Sequence, residues 1–213
     1  QKPWQERSTA FNDYAYTKLP YLSRWNWKLD GGWHEGRWLS LTKDSAAFGH
    51  TSHILSRSAK IAYKYWLYYQ YTQDTAWLRK YAYPMLKGVA EFYRHFPNVK
   101  KESDGKYHIY HVNDNEALWD GHNTVEEISA MMGIFPVVIE AAGILKTDEA
   151  MRPVWQEFLS HLSPLPTRVR DGKTVWMKSL APVFHGNPEG LPDGNTMPTW
   201  YFDLCNRETG SPL

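Results

Sequence analysis

The sequence predicts a mainly α-helical fold that contains two successive helical hairpins. Across residues 53–163, apolar residues recur three and four positions apart, which is the spacing of one face of a helix. Strands and helices do not alternate along the chain, so a parallel sheet is not expected. Residues 1–50 are rich in Trp and Gly, and residues 164–213 are rich in Pro and Gly. We therefore expect residues 1–213 to form one domain, or a fragment of one, with a Trp-rich loop region, the two hairpins and a loop-rich segment in that order.

The first hairpin follows His53. Its first helix ends at the polar sequence Thr72-Gln73-Asp74, and the apolar face of its second helix spans residues 78–96. Pro97 cannot continue that helix and marks its end. Because the connection between the two helices is short, we expect them to pack antiparallel.

A short strand within residues 106–112 and a polar loop, residues 113–122, separate the two hairpins. Thr124, with Glu127 three residues later, matches the capping box that opens a helix. This third helix carries apolar residues to position 145, and Pro136 within it is expected to kink it.

A fourth helix is predicted to begin at a cap formed by Thr147 or Asp148, and Pro164 ends it. Beyond it we expect long loops, with at most a short strand near residues 174–177 and a short helix near residues 200–206.

Composition and charge exclude two classes of protein. Lys and Arg number 24 and Asp and Glu number 23, so the formal net charge is +1 and the electrostatic footprint of a nucleic-acid-binding protein is absent. The apolar runs look shorter than the ~18 residues that a membrane-spanning helix needs, so no such helix is expected. The unusual feature is the aromatic content, with 11 Trp and 14 Tyr.

Cysteine and histidine patterns predict neither a disulfide nor a metal site. Cys205 is the only cysteine, which excludes an internal disulfide and a thiolate metal cluster. Two H-x-x-H pairs begin at His50 and at His108. The first pair lacks an obvious carboxylate partner. The second pair lies on the predicted strand, where residues three apart face opposite ways. We expect no metal and no cofactor.

The polar loop 113–122 is the strongest candidate for a functional site. Within it, Glu116 lies between Asn115 and the apolar sequence that ends at Trp119. A carboxyl group beside apolar and aromatic side chains loses hydration, which raises its pKa and suits it to donate a proton. The alternative is an ordinary solvated loop between a strand and a helix.

A second candidate is the segment around Trp33, His34 and Glu35. Tryptophan faces can stack on the C–H faces of sugar rings, and His and Glu side chains can hydrogen-bond to hydroxyl groups. The alternative is that these tryptophans anchor an irregular loop to the core, since Trp is mostly buried whatever its role.

Motifs in the helical region resemble the six-hairpin glycosidases. The pattern H-I, I-A-Y, Y-Y-Q-Y-T-Q-D and W-L in residues 53–78 resembles one helix of that superfamily. Residues 82–92 (AYPMLKGVAEF) resemble the next helix of the family 95 α-L-fucosidases. The sequence G-K-Y-H-I followed by N-D-N-E, in residues 105–116, resembles the family 65 disaccharide phosphorylases, and the helix carrying I-E-A-A-G-I-L at residues 139–145 also matches.

This resemblance implies an (α/α)₆ barrel that cleaves a glycosidic bond of an oligosaccharide or polysaccharide with inversion of configuration. In both families the glutamate at the place of Glu116 is the general acid. We expect the sugar to be lined by Trp33, His34, Glu35, Asn115 and Trp119. Two alternatives stay open, namely an inverting disaccharide phosphorylase and a non-catalytic glycan-binding or degenerate glycosidase-like protein.

Helix arithmetic and the first residue bear on completeness and location. Twelve barrel helices of about 11–12 residues with connections of about 4–6 need at least roughly 200 residues, whereas the sequence shows two clear hairpins. We therefore expect only part of the barrel here, with its remaining parts outside this chain; the alternative is that further helices lie in the loop regions. The chain opens with Gln1, which, with its suitability for glycans, leads us to expect a periplasmic or secreted protein.

Overall fold

The computed structural model describes residues 54–114, 118–180, 183–184 and 197–205. Within these residues the fold is mainly α-helical, as predicted, with short strands in antiparallel pairs. The helices are α1 (Ser56–Thr72), α2 (Thr75–Trp77), α3 (Tyr83–His95), α4 (Val125–Leu145), α5 (Arg152–Ser160) and α6 (Met197–Trp200). The strands are β1 (Val99–Lys101), β2 (Tyr107–Ile109), β3 (Leu118–Trp119), β4 (Thr167–Arg170), β5 (Lys173–Trp176) and β6 (Val183–Phe184), paired as β1–β2, β3–β6 and β4–β5.

The first predicted hairpin is confirmed. Gln73 follows α1 in the left-handed conformation, with φ of 55°, and its N–H bonds to the carbonyl of Tyr69. Asp74 then caps α2, because its side chain accepts a hydrogen bond from the backbone N–H of Trp77 at 2.9 Å. A π-helical turn, Leu78–Ala82, joins α2 to α3 directly before Pro84, so the second helix of the hairpin is continuous.

Helix directions alternate along the chain. Backbone N–H groups at the start of α1 and the Tyr93 hydroxyl near the end of α3 both bond to Glu127, in the first turn of α4. Helices α1 and α4 are therefore parallel, and α3 runs against both. Helix α5 begins beside Gly143 at the end of α4 and is followed by His161, whose carbonyl bonds to Tyr107. It therefore also runs against α4. This is the arrangement of two neighbouring hairpins in an (α/α) toroid.

Helix α4 is the centre of the core. It packs against α1, α3, α5 and α6, and buried residues recur on all of its faces rather than along one stripe. The helix continues through Pro136. Helix α5 is tied to α3 by Glu91, which accepts hydrogen bonds from the Trp155 indole at 2.6 Å and from Arg94.

The expectation about apolar runs needs a correction at α4. Among the described residues, this helix is long and apolar enough to cross a membrane by length and composition alone. Its apolar stretch follows Glu127 and contains a single charged residue, Glu140, and 67% of the most apolar part is buried inside the fold. Contacts with four other helices account for this composition, as in the core helix of a larger fold.

Two predictions about where helices begin were wrong in detail. Neither proposed cap begins α5, which starts at Arg152. Asp148 has a φ of 51°, and its carboxylate accepts hydrogen bonds from Tyr83 and Lys87 of α3 instead of capping the next helix. The last helix also lies earlier than expected, at Met197–Trp200.

The predicted strand near residues 174–177 is present as β5, but its partner β4 was missed. The two strands are joined by Asp171-Gly172, both with positive φ, so they form a two-residue hairpin of the kind that Asp-Gly favours. Strand β4 is exposed throughout and therefore lacks the alternating pattern that marks a half-buried strand.

Two glycines in α4 predict opposite effects of the same substitution. A Cβ on Gly133 would lie 2.6–2.9 Å from three atoms of the Phe202 side chain, whereas the atoms nearest to a Cβ on Gly143 would be those of the Arg152 guanidinium, at 3.4 Å or more. We expect Gly133→Ala to lower the free energy of unfolding by about 1–2 kcal/mol, because overpacking outweighs the gain in helix propensity. Gly143→Ala should raise it by up to about 1 kcal/mol. Chemical denaturation of both variants measures this, and equal effects would contradict the close packing of Phe202 on α4.

Candidate active site

The polar loop 113–122 lies where α1 and α4 begin. Its ends are joined by a pair of backbone hydrogen bonds, from the Gly121 N–H to the Val112 carbonyl at 2.6 Å and from the Val112 N–H to the Gly121 carbonyl at 3.3 Å. Further in, Asp114 N–H bonds to the Leu118 carbonyl at 3.1 Å. The backbone of the loop is therefore closed on itself on both sides of residues 115–117.

The predicted site residues are not placed by this structure. Asn115 and Glu116, like Trp33, His34 and Glu35, lie outside the described residues. Trp119 is described only by its backbone, which pairs with Val183 between β3 and β6. The roles of these residues stay predictions, and the structure shows the residues that flank and support the loop.

Buried polar residues hold the flanks of the loop. Asn113 and Asp114 are 4% and 2% exposed, and Leu118 is fully buried. The Asn113 side-chain carbonyl accepts a hydrogen bond from the Asp120 N–H at 3.1 Å. Both flanks of the loop are therefore anchored in the core.

The segment after β5 fixes the end of the loop. The Ser179 hydroxyl accepts from the His122 N–H and donates to the His122 carbonyl, both at 2.9 Å, and the Leu180 N–H also bonds to that carbonyl. A Cβ on Gly121 would lie 2.6 Å from Thr124 and 3.1 Å from the Ser179 hydroxyl, so the close approach of the two segments requires glycine there.

Glu127 forms a buried joint beneath the loop. Half of the predicted capping box is present, since the Thr124 hydroxyl accepts from the Glu127 N–H at 3.3 Å. The Glu127 carboxylate turns instead to another element, and accepts from the backbone N–H groups of Leu55 and Ser56 at 2.7 and 3.0 Å and from the Tyr93 hydroxyl at 2.8 Å. It satisfies donors at the start of α1 that the helix itself cannot.

Glu126 extends this joint toward the surface. Its carboxylate accepts from the Lys60 ammonium at 2.6 Å and from the Ser56 hydroxyl. Burial, reinforced by the neighbouring Glu126 charge, raises the pKa of Glu127 to about 8, and burial beside Glu127 raises the pKa of Tyr93 well above its usual value. Both Glu127 oxygens have intramolecular donors, so this carboxylate serves as a structural joint. In the sequence, the feature that could have indicated this joint is the pair of consecutive glutamates at the start of an apolar helix.

A histidine pair lies beside the same end of the loop. His108 Nδ1 is 3.0 Å from His122 Nε2 and 2.9 Å from the Asn123 side-chain nitrogen, and His108 Nε2 is 3.0 Å from an Asp104 carboxylate oxygen. The Tyr110 ring stacks on His122 with a centroid distance of 4.3 Å. Burial, together with the charge of a protonated His108, holds the pKa of His122 below its usual range, while Glu102 opposes this to a smaller extent.

The second H-x-x-H pair is split by the fold. His108 faces His122, whereas His111 bonds to Asp120. In the described ranges, no group of three or more His, Cys, Asp or Glu side chains is arranged to hold a metal ion. His50 and His53 lie outside those ranges.

Comparison with known proteins identifies the region around this loop. The model of the glycosyl hydrolase family 95 catalytic domain matches residues 30–179. The matched region begins in the Trp-rich segment, includes both helical hairpins and the whole loop 113–122, and ends at Ser179. No curated protein matches the chain.

The buried joint predicts a dependence of stability on pH. The pKa of Glu127 is raised from 4.5 to about 8 in the folded state. Between these two pH values, the folded protein therefore keeps a proton on Glu127 that the unfolded protein has released. The stabilisation is complete below pH 4.5 and is lost as the pH rises through about 8. Glu127→Gln keeps an acceptor for Leu55 and Ser56 but cannot ionise, so its free energy of unfolding should not show this decline.

Denaturant titrations from pH 5 to 9 provide the measurement. Glu149→Gln, an exposed substitution after α4, is the matched control and should retain the wild-type decline. If Glu127→Gln declines as steeply as the wild type, the raised pKa is contradicted.

Proposed function

Because the chain belongs to glycosyl hydrolase family 95, we propose that it cleaves a glycosidic bond with inversion of configuration and uses Glu116 as the general acid. The family match spans the loop that contains Glu116, and this is the observation that carries the proposal. The place of the loop supports it, since the loop lies at the common N-terminal end of the parallel helices α1 and α4.

The acid must hold a proton at the working pH. An ordinary glutamate has a pKa of about 4.3, so the site has to raise the pKa of Glu116. Burial of Asn113, Asp114 and Leu118 on either side of residues 115–117 supports a poorly hydrated environment for Glu116. The positive end of α4 opposes the shift by ~0.3–1 kcal/mol, whereas desolvation can raise a carboxyl pKa by up to ~3–5 units.

Inversion requires a second carboxylate, which activates water about 6.5–9.5 Å from the acid. We propose that this base lies outside residues 53–165, the region whose sequence motifs resemble the family. Glu35 and Asp193 lie outside the described residues. Asp203 lies near Tyr63 and Cys205, whose pKa values are raised by burial and, to a smaller extent, by the charge of Asp203. No motif in the sequence assigns the role to any of these three.

The carbohydrate substrate would be held by the aromatic and polar residues that the sequence singles out. We propose that Trp33 and Trp119 stack on sugar rings, and that His34, Glu35 and Asn115 hydrogen-bond to hydroxyl groups. All five are within the residues that the family model matches.

Hydrolysis is favoured over phosphorolysis by the charge around the loop. Phosphate is usually bound by clustered Arg or Lys side chains or at helix N-termini. Residues 107–124 contain neither Arg nor Lys. At the nearby starts of α1 and α4, Glu127 and Thr124 already accept hydrogen bonds from backbone N–H groups. Water is therefore the proposed acceptor of the glycosyl group.

Replacement of Glu116 tests the acid directly. Glu116→Gln should lower turnover of unactivated oligosaccharides by about 10²–10⁴-fold, because general-acid catalysis is lost. Aryl glycosides with good leaving groups need little protonation and should be cleaved nearly as fast as by the wild type. Glu149→Gln is the control. Near-normal turnover of unactivated substrates by Glu116→Gln would refute the role of the acid.

Product stereochemistry and phosphate dependence test the reaction class. We expect the first product detected by proton NMR to have the opposite anomeric configuration to the substrate, and cleavage to proceed equally well without phosphate. Retention of configuration would contradict the inverting mechanism, and a strict requirement for phosphate would show a phosphorylase.

A further inference from the structure

We infer that His108 is a positioning residue, which in its neutral form fixes the base of the loop 113–122 through Asn123 and His122. The inference rests on the proposed role of this loop in catalysis. Asn123 connects the loop to the cap of α4, and His122 is the last residue of the loop, so a side chain that holds both controls how the loop leaves the core.

The orientation of the Asn123 amide is determined by the backbone. Its side-chain carbonyl accepts a hydrogen bond from the Ile109 N–H at 2.8 Å, and the Asn123 N–H bonds to the Ile109 carbonyl at 2.8 Å. The side-chain nitrogen therefore faces Ser163 and His108, with distances of 2.8 Å to the Ser163 hydroxyl and 2.9 Å to His108 Nδ1. Flipping the amide would set two donors against each other at Ile109, so the amide nitrogen is the donor.

This orientation determines the tautomers of both histidines. Because the Asn123 amide donates to it, Nδ1 of His108 carries no proton and its lone pair accepts. The proton of neutral His108 is then on Nε2 and is donated to Asp104 at 3.0 Å. Nε2 of His122, 3.0 Å from the same Nδ1, must be the protonated nitrogen of its ring. The chain thus runs from His122 through His108 to Asp104 with one consistent direction of donation.

Protonation of His108 would break this arrangement at one point. A proton on Nδ1 would face the N–H of the Asn123 amide at 2.9 Å. His122 could adapt by changing its tautomer, but Asn123 could not, because Ile109 and Ser163 fix its amide. Asn123 is fully buried and has a φ of 48°, so the conflict would fall on the backbone that joins the loop to α4.

Other charged and titratable groups around the pair act in known directions. The backbone N–H of Lys106 and then the His108 side chain lower the pKa of Asp104, and the charge of Glu102 favours a proton on His122. The Tyr110 hydroxyl is bonded to Glu102 at 3.0 Å, and Lys100 lies over the Tyr110 ring at 5.9 Å. The segment after α5 contributes the neutral hydroxyl of Ser163, which bonds to the Asn123 amide that contacts His108.

Three substitutions separate this role from a merely structural one. His108→Asn retains an acceptor near the position of Nδ1 but cannot be protonated. His108→Leu removes the acceptor. His111→Asn is the matched control, because His111 bonds an aspartate of the same loop and has a φ of 56° that asparagine tolerates. Among the described residues, His111 makes no hydrogen bond to Asn123.

We expect His108→Leu to lower kcat by about 10–100-fold at neutral pH, with little change in KM, because the catalytic loop is displaced. His108→Asn should restore kcat and extend activity to lower pH than the wild type, while His111→Asn should keep the wild-type profile. Equal pH profiles for His108→Asn and the wild type would overturn the inference.

Nitrogen NMR of the intact wild-type protein gives a readout that does not depend on activity. At pH 8, His108 should show a protonated Nε2 and a bare Nδ1, and on acidification the Asn123 amide signals should shift together with the His108 ring. A bare Nε2 on His108, or Asn123 signals that ignore its titration, would overturn the inference even if Glu116 is the acid. If the tautomers are as expected but Glu116→Gln stays active, the proposed function is wrong and the inference about His108 is not.

Discussion

The carboxyl group of Glu127 is the contact on which the described structure depends. It joins the start of α1, the end of α3 and the first turn of α4, and it does so in a site from which water is excluded. Burying such a group is costly unless every lone pair facing the protein finds a donor. Here backbone N–H groups of Leu55 and Ser56 and the Tyr93 hydroxyl provide those donors, so the three helix ends are held in one relative position.

The candidate active site is built on this joint. The same end of α4 receives the loop 113–122, and the loop is fixed by backbone pairing at Val112 and Gly121 and by Ser179 on its far side. A catalytic acid must be held in place to about the accuracy of a hydrogen bond, and a loop can do so only if its base is rigid. The family 95 catalytic domain match spans this loop, and on that basis we propose that the catalytic acid lies there.

The helices could be predicted from sequence because their signals are local. Periodic apolar residues, the break at Thr72-Gln73-Asp74 and the threonine cap at Thr124 each act within a few residues. The partners of Glu127 could not be predicted, since they lie 34, 71 and 72 residues away along the chain and a capping box offered a nearer partner. The local pattern likewise predicted a cap at Asp148, whereas its carboxylate is bound by side chains of α3, which is distant in sequence. The site residues Trp33, His34, Glu35, Asn115 and Glu116 came from motifs and resemblance, and stay predictions.

A structure of the protein with a bound oligosaccharide whose scissile oxygen is replaced by sulfur would test the central claim most directly. Such an analogue occupies the site without being cleaved. We predict that a carboxyl oxygen of Glu116 lies within about 2.6–3.5 Å of the bridging sulfur, in position to donate a proton to it. A Glu116 side chain directed into solvent, or an analogue bound away from the loop 113–122, would contradict the account.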